Sequence, residues 1–82
     1  MEAIEIIQKV KQIISQQLSI DISRVKETAL IGSDLGADSL DTAEIAMMIQ
    51  DEFNYNLTDQ EIARVKTVKD LVDVLNNALV KK

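Results

Sequence analysis

The chain has 82 residues, 46% of them hydrophobic, with 9 basic and 14 acidic side chains and a formal net charge of −5. That length suits one domain, residues 1–82, with a thin core, and the acidic balance excludes a nucleic-acid binder, which needs a basic patch. Cysteine and histidine are both absent, which excludes disulfides, a Cys/His zinc centre, and Ser–His or Cys–His nucleophile pairs.

The first segment, Glu2 to Leu18, places Ile4, Ile7, Val10, Ile14 and Leu18 at helical steps of three and four. Glu2 and Glu5 stand where negative charge suits the helix dipole. The N-terminus is acidic and amphipathic and does not read as a secretory leader; no run reaches the length of a membrane span. A cytoplasmic, monomeric protein is expected, complete from its initiator Met1.

Ser19 to Asp38 reads as a long connection rich in turn formers, with Gly32 and Gly36 the only glycines. It also holds Ile20, Val25, Leu30, Ile31 and Leu35, which predicts that it packs onto the core. Connections of this length in a small domain are often functional. A second helix is predicted from Ser39 to about Phe53, with Asp38 as N-cap and Asp41 completing a capping box, ending at Asn54-Tyr55-Asn56. Thr58 to Glu61 makes another box and opens a short helix to about Val65. Thr67 to Asp70 resembles a third and leads into Val68, Leu71, Val72, Leu75, Ala78 and Leu79, a stripe on a final helix with Lys81 and Lys82 at its favoured cationic end. The expected fold is all-α, a bundle of three main helices and one short one.

Two features of the second helix point to function. At about 100° per residue, Ile45, Ala46, Ile49 and Phe53 form a core face, while Leu40, Ala43 and Met47 cluster on the opposite side. Scattered exposed apolar residues are normal, but from Glu27 to Ala63 every charged residue is acidic. An apolar strip inside a one-sign field reads as a surface steered toward basic partners.

The string Asp34-Leu35-Gly36-Ala37-Asp38-Ser39-Leu40-Asp41 places a serine at the junction of loop and helix. From position alone Ser39 reads as a helix-capping serine. No G-x-S-x-G elbow surrounds it, and an EF-hand loop begun at Asp34 would need glutamate where Ile45 stands. No catalytic residue and no metal site is expected.

DLGADSLD followed by TAEIAMMIQDEF resembles the signature of acyl carrier proteins of the dissociated, free-standing fatty acid synthase type, and the order and length of the segments are similar along essentially the whole chain. The resemblance implies a carrier that is not an enzyme. Its Ser39 would take 4'-phosphopantetheine from coenzyme A through a separate phosphopantetheinyl transferase, and the arm's thiol would hold growing acyl chains as thioesters. By the same resemblance Asp38, Asp41 and Glu44 would meet basic residues of the transferase and of fatty acid synthesis enzymes, with Leu40, Ala43 and Met47 making the apolar contact. Two other readings compete: a specialised carrier of a polyketide or other secondary acyl pathway, and an acidic helical adaptor that is never modified. The core, poor in aromatics, predicts an interior among Ala46, Met48, Ile49, Val65, Leu71 and Leu75 that adapts to an acyl chain.

Overall fold

The computed structural model describes residues 2–79; the expectation about Lys81 and Lys82 lies outside them. Its helices are α1 (Ala3–Leu18), α2 (Ser39–Phe53), α3 (Asp59–Arg64) and α4 (Val68–Leu79), with a 3₁₀ turn at Ile22–Arg24 inside the long connection. Three long helices and one short one match the expected bundle. α1 is the central element and packs against both α2 and α4. No helix of the described residues is long and apolar enough to cross a membrane.

The helix starts follow local hydrogen bonding. Asp41 N–H donates to Asp38 Oδ1 at 2.8 Å while Asp38 N–H donates to Asp41 Oδ2 at 3.3 Å. Glu61 N–H and Thr58 N–H close the reciprocal pair at α3, at 3.1 and 3.0 Å. Thr67 and Asp70 do the same at α4, where Asp70 also accepts from Lys66 N–H at 2.9 Å. The three capping boxes read from the sequence stand where it placed them, and a further one pairs Glu2 with Glu5 at the start of α1, where Glu2 N–H donates to Glu5 Oε1 at 3.1 Å. The ends of α1 and α2 turn through Ser19 (φ 55°) and Asn54 (φ 53°) in the left-handed region, which lets orphan carbonyls find donors; Ile20 N–H reaches back to Ser15 C=O at 3.1 Å.

Three expectations about the core need correction. On α1 the fully buried residues are Ile6, Val10 and Ile14, with Ile13 nearly so, whereas Ile4 is 64% exposed and Ile7 and Leu18 are half-buried. Setting Ile6 at zero on the helical wheel puts Ile4 at about 160°, nearly opposite, and Ile13 within about 20°. Steps of three and four were present on two rails, and the rail through Ile6 and Ile13 faces inward. In the connection Val25, Ile31 and Leu35 are buried as expected and Ile20 is half-buried, but Leu30 is 40% exposed. Leu30 pairs with Thr67 in an isolated antiparallel bridge, and successive residues of extended chain point to opposite sides, so burying Ile31 turns Leu30 outward. On α4 Val68, Leu71, Val72 and Leu75 are buried and Leu79 is half-buried, while Ala78 is exposed; it lies at the stripe's edge, about 70° from its centre.

The acid side of the stability curve follows from the caps. Asp70 is held below its ordinary value of 3.8, chiefly by the Thr67 N–H and then by the Lys66 N–H. Glu61 is held below 4.5 by the Thr58 N–H and then by the Tyr55 hydroxyl, which donates to Glu61 Oε2 at 2.8 Å. A carboxyl whose folded value is depressed stabilises the fold above its unfolded value, and that contribution is lost as pH falls through the folded one. These two contributions are therefore complete above about pH 5 and fade as pH drops through 4 and below. Asp70→Asn keeps an acceptor but removes the charge in the first turn of α4, so it is expected to cost about 0.3–1 kcal/mol at pH 7, and its deficit against the wild type is expected to shrink as pH is lowered from 5 toward 2, read by urea melts at each pH. A deficit independent of pH would count against the charged cap.

Candidate functional site

The approach to Ser39 is built by the loop that precedes it. Asp34, the first residue of the motif, accepts Leu30 N–H on its side chain at 2.8 Å, and its own N–H donates to Leu30 C=O at 2.9 Å. Gly36 N–H donates to Gly32 C=O and Ala37 N–H to Ile31 C=O, at 2.9 and 3.1 Å. Gly36 has φ +80°, a conformation that any side chain would strain. The folded loop is then tied to the start of α4: Ile31 N–H to Lys66 C=O, Val68 N–H to Ala29 C=O and Lys69 N–H to Glu27 C=O, at 3.0, 3.1 and 2.9 Å. These backbone ties fix where the loop delivers the chain into α2.

Ser39 is the first residue of α2 and is exposed. The cap is Asp38, and among the described residues nothing hydrogen-bonds the Ser39 hydroxyl. The capping explanation for this serine therefore falls away: the side chain that caps α2 is that of Asp38.

Beyond Ser39, the exposed face of α2 carries the strip that its sequence predicted. Leu40 is 67% and Met47 63% exposed, Ala43 and Glu44 are exposed beside them, and Asp41 is half-buried. The core face is Ile45, Ile49 and Phe53, with Ala46 half-buried. The acidic run is less uniform than its sequence suggests. Glu52 pairs with Lys9 of α1 at 2.7 Å, Glu61 is held by Thr58 and Tyr55, and Asp34 belongs to the loop. Asp38 and Asp41 cap α2; Asp38 is exposed, while Asp41 is half-buried with both carboxylate oxygens accepting hydrogen bonds. Glu44 and Asp51 are left as the outward acids flanking Met47. One contact escaped the sequence reading: the Gln17 side-chain amide of α1 donates to Glu44 Oε1 and, at 3.4 Å, to Asp41 Oδ1.

Behind the strip lies a small apolar cavity of about 30 Å³, lined by Ile31, Thr42, Ile45, Ala46, Leu57, Ile62, Val65 and Leu71. Thr42, one turn on from Ser39, stands on its wall, with its hydroxyl donating to Asp38 C=O at 3.0 Å. Of the interior expected from the sequence, Ala46, Val65 and Leu71 line this space; Met48, Ile49 and Leu75 do not. Ile49 and Leu75 instead fill the closed centre of the core, both at 0% exposure.

The family described as "Phosphopantetheine attachment site" matches residues 8–75. The acyl carrier protein of Thermosynechococcus vestitus is 43% identical over 77 residues, which cover 94% of this chain and 95% of that one. The chain belongs to the acyl carrier protein family. As an acyl carrier it bears 4'-phosphopantetheine as a covalent group, and it is a carrier of acyl chains rather than a catalyst.

Proposed function

We propose that the chain is a single carrier domain whose 4'-phosphopantetheine is esterified to Ser39, and that it delivers growing acyl chains to fatty acid synthesis enzymes in the cytoplasm. The observation that carries this reading is the Ser39 hydroxyl: exposed, unbonded, at the head of α2, beside a cap that does not need it. The residues suit the group. A phosphodiester on Ser39 is an anion at a helix N-terminus, where unpaired N–H groups and the dipole favour it. Open space beside Gly36, where an added Cβ would meet nothing within 4 Å, leaves room for a transferase to approach. The arm supplies the thiol on which acyl groups ride; with no cysteine in the chain, no internal disulfide competes for it.

Docking through α2 belongs to the same proposal. Leu40, Ala43 and Met47 form the apolar centre, and Asp38, Asp41 and Glu44 supply charge for basic surfaces of the transferase and the synthesis enzymes. Intact mass spectrometry of protein from its native host tests the fatty acid pathway: the expected spectrum shows one arm and acyl chains differing by two-carbon steps. Acyl groups of any other pattern would instead favour a specialised carrier of a polyketide or other secondary acyl pathway.

Glu44→Lys tests the docking surface. Transfer to a ketosynthase is expected to slow by roughly tenfold at low ionic strength, the low end of what electrostatic steering supplies, and the defect is expected to shrink as salt rises. Helicity by circular dichroism should hold, because Glu44 is exposed. An unchanged rate at low salt would count against this face.

A further inference from the structure

Asp41 and Glu44 lie three residues apart on one side of α2, where like charges repel. Left alone, the Glu44 carboxylate would swing away into solvent. The Gln17 amide, brought across from α1, donates to both. Asp41 is further fixed from its other oxygen by Asp38 N–H at 3.3 Å. The result is a continuous chain of hydrogen bonds from the cap beside Ser39, through Asp41, to Gln17 and Glu44. Beyond Gln17, a groove of about 300 Å³ is lined by Gln17, Glu44, Met47, Met48 and Asp51. Its lining is apolar at the two methionines and acidic at the exposed Glu44 and Asp51. Such a groove fits one arginine or lysine side chain of a partner, the stem lying on the adaptable thioethers and the head between Glu44 and Asp51.

We infer that Gln17 is a positioning residue of the docking face, holding Glu44 at the rim of this groove before a basic partner side chain arrives. The inference rests on the docking reading above and adds to it that α1 takes part in recognition. Gln17 has no charge to offer the partner; it acts by sparing the complex the ordering of Glu44.

The test is a double-mutant cycle on the phosphopantetheinylated protein, with a ketosynthase of basic surface as the partner. Gln17→Met keeps the length and helix propensity of the side chain, removes the donor and adds no charge. It is expected to weaken binding by about a factor of 2–10, the range for ordering one flexible side chain. In a Glu44→Ala background the same change is expected to do little more, since Glu44 is gone and Asp41 is already held by Asp38 N–H. Three-bond couplings of the Glu44 side chain should move toward rotamer averaging in Gln17→Met while helicity stays constant; a purely structural role would leave those couplings alone. Full binding by Gln17→Met alongside weakened binding by Glu44→Ala overturns the positioning role and leaves docking through α2 intact. Equal losses from Gln17→Met with and without Glu44 also overturn it. Full binding by Glu44→Ala overturns both readings together.

Discussion

Ser39→Ala is expected to abolish addition of the arm completely, while Ser33→Ala, at an exposed serine of the loop that precedes α2, leaves it unchanged. With coenzyme A and a broad-specificity phosphopantetheinyl transferase, the intact mass of the wild type should rise by one arm and that of Ser39→Ala by nothing. The strength of this experiment comes from what Ser39 does not do. The cap of α2 is the Asp38 side chain, bonded to Asp41 N–H at 2.8 Å, and the Ser39 hydroxyl has no partner among the described residues. Alanine in the first turn of a helix is well tolerated, so the variant should melt within about 0.5 kcal/mol of the wild type, as surface substitutions generally do. Loss of modification then cannot be blamed on loss of the fold. Modification that persists in Ser39→Ala would overturn the assignment.

How much of this was legible in the sequence depends on range. The capping boxes read at α2, α3 and α4 join residues three apart, and α2 begins and ends where its local signals put it. The two faces of α2 were also legible, because Leu40 and Met47 on one side are separated from Ile45, Ile49 and Phe53 on the other by an unambiguous half-turn. α1 was harder. Its isoleucines at 4, 6, 7, 13 and 14 populate two rails, and only packing against α2 and α4 chooses the one through Ile6 and Ile13. Leu30 was misplaced because its orientation is set by a bridge to Thr67, 37 positions away along the chain. The Gln17 bridge was invisible for the same reason: nothing in the composition of α1 says which of its polar residues faces Asp41 and Glu44. Charge counting also overstated the docking field, since pairing of Glu52 with Lys9 depends on where α1 crosses α2.

A medium-length acyl chain on the arm is expected to raise the melting temperature above that of the bare arm-bearing form, and an acetyl group is not. The cavity of about 30 Å³ is the size of one water molecule, so a chain enters only by pushing the walls apart. Those walls are unequal. α2 and α4 are long helices seated on α1, but Leu57, Ile62 and Val65 belong to α3 and its flanks. α3 has six residues, too few to be stable alone. It is the wall that gives way at least cost. Opening a packed core costs typically 1–3 kcal/mol. Each methylene withdrawn from water returns about 0.8 kcal/mol, so about six of them return nearly 5 and leave a net gain of roughly 2–4 kcal/mol. For a domain of this size, each kcal/mol shifts the midpoint by about 4–8 °C, which puts the expected rise at roughly 10 °C or more. Acetyl offers a single methyl group and cannot offset the opening. Amide shifts should move along α2, α3 and α4 on loading, and most at the residues that line the cavity. Ala46→Leu fills the same space with side chain, so this variant should gain little from the medium chain while still accepting the arm. If medium-chain loading left both the melting temperature and the lining shifts unchanged, the chain would be riding outside the bundle, and the cavity would be no more than a packing defect.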